Sequence, residues 1–321
     1  MVKILTIGAA VQDVFLSHCP ELKPVAEKTA DELFLEIKLG SKNDVNNIDF
    51  STGGGATNGA VTFARQGLET EFMGTIAKDP AGHVILHDLD KEGVDTSYVS
   101  YSDKYHTGYS VVLLASTGER TFLTYRGAST HYDIKNFDLD DSHADWLYVT
   151  SMAGNMDILD KIFRQAKKLG IKVFFNPGKD ELHQSDKLIA ILEDVDILSV
   201  NKEEAAMITN GTDLEELVRR LMNHVPIAIV SDGPNGLMAS DSKTIVRAGM
   251  YEDVKVVDRT GAGDAFGSGF LSHWAQGKSL KDSIVFASAN STSVVTKIGA
   301  KAGILHKGAK LHAMPLSEKP F

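Results

Sequence analysis

Apolar residues along the chain fall into two patterns. Short apolar runs bounded by glycine or polar turns read as strands, and segments with apolar positions three and four apart read as helices. Residues 2–7 form a strand-like run that stops at Gly8, and a polar, irregular stretch follows from about residue 17 to 50. Within it, residues 33–38 resemble an edge strand. Residues 56–66 predict a helix that starts directly after Gly53, Gly54 and Gly55. Further on, residues 146–150, 171–175, 196–200 and 227–231 read as strands, and 202–209 and 213–223 as helices. Ile158, Ile162, Ala166 and Leu169 recur at helical spacing, with Gly170 placed to end that helix. Strands alternating with helices predict an α/β fold: a doubly wound, mainly parallel sheet with helices on both faces.

One region breaks the alternation. Residues 108–114 and 120–125 are β-rich and separated by the turn-forming stretch 116–119, so they predict a hairpin. Without a crossover helix the hairpin lies outside a parallel sheet, and the 33–38 strand is its expected partner in a small separate sheet. Residues from about 313 onward read as a loose tail.

Composition narrows the partners. The formal net charge of −10 over 321 residues opposes a phosphate backbone, so nucleic acid is not an expected ligand. A nucleotide stays possible, because small phosphates are held by local backbone amides. The single cysteine, Cys19, cannot form an internal disulfide and reads as a small hydrophobe in a reducing compartment. No apolar run approaches membrane-spanning length and no signal-peptide pattern precedes the first strand, so a cytoplasmic location is expected. His83 and His87 have the i, i+4 spacing of zinc ligands but no accompanying glutamate or third ligand, so they read as a surface helix. The acidic Asp138, Asp140 and Asp141 read as a solvated loop.

The chemistry concentrates in residues 256–270. A strand is expected to end near Asp258, Gly261, Ala262 and Gly263 to make a tight turn, and a helix to start near Asp264. Successive amides at a helix N-terminus form an anion site. A carboxylate there would repel a phosphate unless it serves as a proton acceptor, which phosphoryl transfer to an alcohol requires. Asp264 as a plain helix cap is the alternative. The dinucleotide fingerprint is excluded because Phe266 stands at its third glycine, and a P-loop at Gly277, Lys278 and Ser279 lacks its first glycine, since Ser272 stands there.

The stretch Asp258-Arg-Thr-Gly-Ala-Gly-Asp-Ala-Phe266 resembles the C-terminal signature of the ribokinase-like (PfkB) carbohydrate kinases, and Gly53-Gly-Gly-Ala-Thr-Asn-Gly-Ala60 is similar to their N-terminal one. The resemblance implies one kinase domain over residues 1–321, with a β lid formed by roughly 14–50 and 96–127. It implies transfer of the ATP γ-phosphate to a hydroxyl of a small sugar-like substrate. Asp264 would be the base, and Gly261, Ala262 and Gly263 the anion hole. Asn201 and Glu204 match the family's Asn-x-x-Glu motif near Mg²⁺ and the phosphates, although a capped helix start explains the same residues. Asp13, Gly53, Gly54 and Asn58 match substrate-facing positions, and Ser231, Asp232, Gly233 and Asn290 match nucleotide-facing ones. Lys297 to Ala300 resemble the loop near the adenine, and Asp258 and Thr260 match a monovalent-cation (K⁺) site.

Departures bear on the substrate. Val11 and Gly55 stand where ribokinases have Asn and Lys, which argues against ribose. Arg126 resembles the loop of 2-keto-3-deoxygluconate kinases and suits an acidic acceptor, whereas a pairing with Asp133 is its ordinary alternative. Two rival readings are a nucleoside kinase of the same family, with Phe34 against the base, and a non-catalytic sensor of sugar or nucleotide. An exposed lid edge would let two copies pair as a homodimer.

Overall fold

The computed structural model describes residues 1–17, 24–26, 33–114 and 120–321, with the backbone alone for residues 24–26 and 33. Cys19 and the expected 116–119 turn lie outside the described residues. The first half runs β1 (Lys3–Ile7), β2 (Val11–Ser17), β3 (Pro24–Ala26), β4 (Leu33–Leu35), β5 (Asn47–Gly53), α1 (Gly55–Arg65), β6 (Glu69–Ala77), α2 (Pro80–Lys91), β7 (Val99–Ser102), β8 (Gly108–Leu114) and β9 (Arg120–Tyr125). After two short 3₁₀ turns come β10 (Trp146–Val149), α3 (Met156–Leu169), β11 (Lys172–Phe175), α4 (Lys179–Leu182), α5 (Ser185–Ile191), β12 (Ile197–Asn201), α6 (Lys202–Ile208) and α7 (Leu214–Leu221). The chain ends with β13 (Ile227–Ser231), β14 (Leu237–Ser240), β15 (Thr244–Ala248), α8 (Ala262–Trp274), α9 (Leu280–Val294) and β16 (Leu316–Pro320).

The large sheet has the order β16-β15-β14-β13-β12-β11-β10-β1-β6-β7. From β13 to β7 every pairing is parallel, and β14, β15 and β16 add an antiparallel margin. Alternation within the central strands sends neighbouring side chains to opposite faces, and both faces are covered. Leu5, Val149 and Phe175 pack with Phe163 of α3 and Leu217 of α7. Ile4, Tyr148 and Phe174 pack on the other face with Phe63 of α1, Phe270 of α8 and Ile284 of α9. This is the doubly wound arrangement expected from the alternating pattern. Gly170 ends α3 in the left-handed region, at φ 74°, which a glycine adopts without strain.

The small sheet has the order β5-β2-β8-β9. The β8–β9 hairpin is present, but its partner is β2, paired in parallel, and β5 pairs with β2 antiparallel. The expected pairing with residues 33–38 is therefore corrected: among the described residues β4 pairs with β3 alone, in a separate ribbon. Two further expectations are overturned. Residues 316–320 form β16, whose backbone completes the edge beside β15, instead of a loose tail. No strand leads into Asp258, since residues 249–261 are irregular and the amides of Val257 and Asp258 bond to the Val295 carbonyl beyond α9.

Candidate active site

The three consecutive glycines at the start of α1 each mark a different close approach. A Cβ on Gly53 would lie 2.3 Å from Asp13 Oδ2, one on Gly54 2.3 Å from the Ala9 carbonyl oxygen, and one on Gly55 3.0 Å from Asp264 Oδ1. Gly54 also has φ 98°. The glycine run thus lets α1 begin against both Asp13 and Asp264, which brings the two ends of the sequence to one place.

Asp13 is not in a loop after β1. It sits inside β2, opposite Ser51 of β5 and Ser110 of β8, and is 5% exposed. Burial pushes its carboxyl up to about 6, against the opposing pull of the Ser110 hydroxyl and the Lys301 charge. Asp264 lies in the first turn of α8, where Asn58 Nδ2 donates to its Oδ2 at 2.8 Å. Burial raises its proton affinity, and Asn58 and Lys301 partly offset the rise. Asn58 is 3% exposed and its Oδ1 has no partner among the described residues. An orphaned acceptor beside the carboxylate is matched in chemistry to a hydroxyl donor.

The α8 N-terminus is open. Gly261 caps it at φ 76°, and a Cβ there would lie 2.4 Å from Ala300 Cβ. The Ala262 amide turns back to the Arg259 carbonyl at 3.3 Å, whereas no protein acceptor among the described residues takes the amides of Gly263 and Asp264. Gly263 is exposed, and a Cβ on it would meet no atom within 4 Å. Tyr148 and Ser268 hydroxyls both donate to the Asp264 carbonyl, at 3.3 and 2.6 Å, and steady this turn.

Beside that turn a cleft of about 300 Å³ opens at the carboxyl ends of β12 and β13. Ala262 and Gly263 line it together with Asn201, Glu204, Ser231 and Gly233. Asn201 and Glu204 form a reciprocal cap: Asn201 Oδ1 accepts the Glu204 amide and Glu204 Oε2 accepts the Asn201 amide, each at 2.9 Å. Burial raises the Glu204 proton affinity. The cap is therefore present, and its two residues also line the cleft. No cluster of three or more His, Cys, Asp or Glu able to hold a metal occurs among the described residues. One carboxylate at the cleft wall, Glu204, fits Mg²⁺ held chiefly by nucleotide phosphates and water.

Several expected contacts are placed elsewhere. Asn290 is fully buried: its Nδ2 donates to the Ala265 carbonyl and its Oδ1 accepts the Leu305 amide, so it ties α9 to α8 instead of facing the cleft. Its neighbours Ser288 and Ser291 line the cleft in its place. Asp232 points away from the cleft, toward Lys202 Nζ at 3.7 Å. The Arg126 side chain is exposed and makes no ion pair among the described residues, while the Asp133 carboxylate accepts the Lys135 amide. Asp258 and Thr260 do not fit a monovalent cation: the 1%-exposed carboxylate already pairs with Arg120 and accepts the amide and hydroxyl of Thr260 and the amide of Gly299.

Sequence reasoning missed Lys301. It is 9% exposed, its Nζ donates to Thr52 Oγ1 at 2.7 Å, and burial brings its ammonium down to about 8. Its charge acts on both Asp13 and Asp264. A lysine just past a glycine turn carries no local signal of burial, so only the assembled fold exposes it.

A doubly wound sheet carrying a small β lid is the fold shared with ribokinase-family structures. The chain belongs to the pfkB family of carbohydrate kinases, whose model matches residues 27–307. It is 27% identical over 271 residues to the ribokinase of Haemophilus influenzae, covering 80% of this chain and 85% of that protein. Its fold matches a putative ribokinase II from E. coli in complex with ATP and Mg²⁺, with TM-score 0.79, 21% identity and coverage of 95% and 96% of the two chains. It also matches the adenosine kinase of Sinorhizobium meliloti, with TM-score 0.77, 22% identity and coverage of 94% and 95%.

Proposed function

We propose that this protein transfers the γ-phosphate of ATP to a hydroxyl of a small sugar-like molecule. The observation that carries the reading is the geometry at the α8 N-terminus. Asp264 is a desolvated carboxylate with heightened proton affinity, adjoining two amides that have no acceptor among the described residues. In this reading Asp264 takes the proton of the attacking hydroxyl, and the amides of Gly263 and Asp264 take up charge on the transferring phosphoryl group. Asp13 and Asn58 orient the acceptor hydroxyls. Asp13 supplies acceptor oxygens, and Asn58 holds Asp264 through its amide while offering a free carbonyl oxygen. ATP occupies the cleft beside Ser231 and Gly233, and Mg²⁺ near Glu204 neutralises phosphate charge when bound.

An ATP-consumption screen over pentoses, hexoses, sugar acids, sugar phosphates and nucleosides tests this directly. Acceptor-dependent consumption that disappears in Asp264→Asn supports the proposal. Absence of acceptor-dependent turnover across the panel, with ATP still bound, points to the sensor reading instead.

A further inference from the structure

The Asp258 carboxylate lies at the mouth of the turn that presents the α8 amides, and it is 1% exposed. Its Oδ1 accepts the Thr260 amide at 2.9 Å and the Thr260 hydroxyl at 2.7 Å, and its Oδ2 accepts the Gly299 amide at 3.0 Å. These donors are neutral and come from the turn itself or the adjoining loop. The countercharge comes from elsewhere: Arg120, the first residue of β9 in the small sheet, bonds Oδ1 through Nη1. Arg120 is largely covered as well, with 22% of its side chain exposed, and its guanidinium lies 5.6 Å from the Phe122 ring centroid.

A second contact joins the same parts. A Cβ on Gly299 would lie 2.7 Å from Ser51 Oγ of β5, and one on Gly261 would lie 2.4 Å from Ala300 Cβ. Two strands of the small sheet, the 299–300 loop and the 258–261 turn are therefore packed as one junction. The single charge–charge contact in that junction, among the described residues, is Arg120 on Asp258.

We infer that Arg120 is a positioning residue: it takes the place of a monovalent cation at Asp258 and makes the shape of the α8 amide turn depend on the docked lid. A buried carboxylate that loses its cation is strongly disfavoured. Moving β9 away would leave Asp258 uncompensated, so the turn is held in its hydrogen-bonded form chiefly while the lid is docked. Arg120 thereby couples acceptor enclosure to formation of the anion cradle without touching either substrate. This rests on the kinase reading for its kinetic consequences, but not for its structural ones.

Two measurements test it. The first is turnover in K⁺ and in a bulky organic cation at matched ionic strength, for the native protein and Arg120→Ala. The native protein is expected to show equal rates, and Arg120→Ala to lose roughly 10- to 100-fold in kcat with a smaller change in KM for ATP. Added guanidinium or K⁺ should restore part of the Arg120→Ala loss, which a purely structural role would not permit. The second is hydrogen exchange of the amides of residues 258–263, which needs no acceptor. Exchange should quicken in Arg120→Ala and fall between the two in Arg120→Lys, the variant to use if Arg120→Ala does not fold. K⁺ activation of the native protein, or native-like exchange in both variants, overturns the inference. A native protein without acceptor turnover would remove the proposed function while the exchange result still decides the role of Arg120.

Discussion

The cleft at the ends of β12 and β13 is lined by amides, hydroxyls, glycines and the apolar Val200, Leu237, Met250 and Phe266, with Glu204 as its one charged residue among the described residues. The side where α1 meets β2 is built the other way. Asp13, Asp264, Asp258, Lys301 and Arg120 cluster there, all largely buried and held by specific partners. Under the proposed function, the contrast matches what each side would recognise. A nucleotide brings its own charge, which dipoles and free N–H groups accept with little reorganisation. A neutral polyol brings only hydroxyls, so the protein must supply both the oriented acceptors and the proton acceptor.

Exchanging charge for neutrality on the acceptor side should have the largest effect. Asp264→Asn keeps the Asn58 contact geometry but cannot take a proton, and kcat is expected to fall by about 10²–10⁴-fold. Calorimetric ATP affinity should change little, because the cleft itself is untouched. A folded Asp264→Asn protein with native turnover would erase the distinction between the two walls. The native rate should also fall in acid as Asp264 becomes protonated, beginning at a pH above the usual carboxylate range.

Asp13→Asn sharpens the comparison through stability as well as acceptor KM, which should rise. The folded carboxyl titrates at about 6 and the unfolded one near 3.8, so folding favours the protonated form. The benefit of that form is fully present below the unfolded value and is lost as pH rises through about 6. Above pH 6 the native protein carries an ionised, buried Asp13, and Asp13→Asn is expected to be more stable by up to about 3 kcal/mol. Denaturant melts at pH 4 and pH 8 check the sign: the gain should appear only at the higher pH.

Arg126 tests whether the acceptor side also reads an anion. Its guanidinium is exposed and unpaired among the described residues, so Arg126→Ala should leave the melting temperature unchanged. With a carboxylate-bearing acceptor, loss of one charged contact should cost about 1.5–3 kcal/mol in kcat/KM. With a neutral acceptor no change is expected. Equal effects on both acceptors would remove Arg126 from substrate choice.

On the nucleotide side the smallest change is Gly263→Ala. The added methyl meets no protein atom, so the helix should be unharmed or stabilised by up to about 1 kcal/mol. It projects toward the cleft, however, and ATP affinity should weaken by about tenfold. Gly261→Ala is the contrasting control: it meets Ala300 and a positive φ, and is expected to destabilise the protein itself.

β1 and β10 to β13 of the parallel core were legible because these strands are apolar on both faces and a helix between them ends at Gly170, whereas β6 and β7 were not read. β2 and β5 were missed because Gln12 and Asp13 put polar groups on both faces of β2 and Asp49 and Ser51 put them on one face of β5, and alternation interrupted by polar groups no longer reads as a strand. β16 was missed because Ser317, Glu318 and Lys319 give an edge strand no apolar signature, although its backbone pairs fully with β15. Asn290 was misplaced by one helical step, since a motif match cannot say which side of α9 faces the cleft.

By itself the sequence determined the fold class, the turn that presents Asp264, and the glycine run that admits α1, because each depends on local φ preference or on spacing along the chain. Only the tertiary structure decided that Asn58 holds Asp264, that Lys301 is buried where its charge acts on Asp13 and Asp264, and that Arg120 neutralises Asp258 across 138 residues of chain. Those contacts depend on which charges are desolvated together, and desolvation is a property of the packed molecule, not of any segment of it.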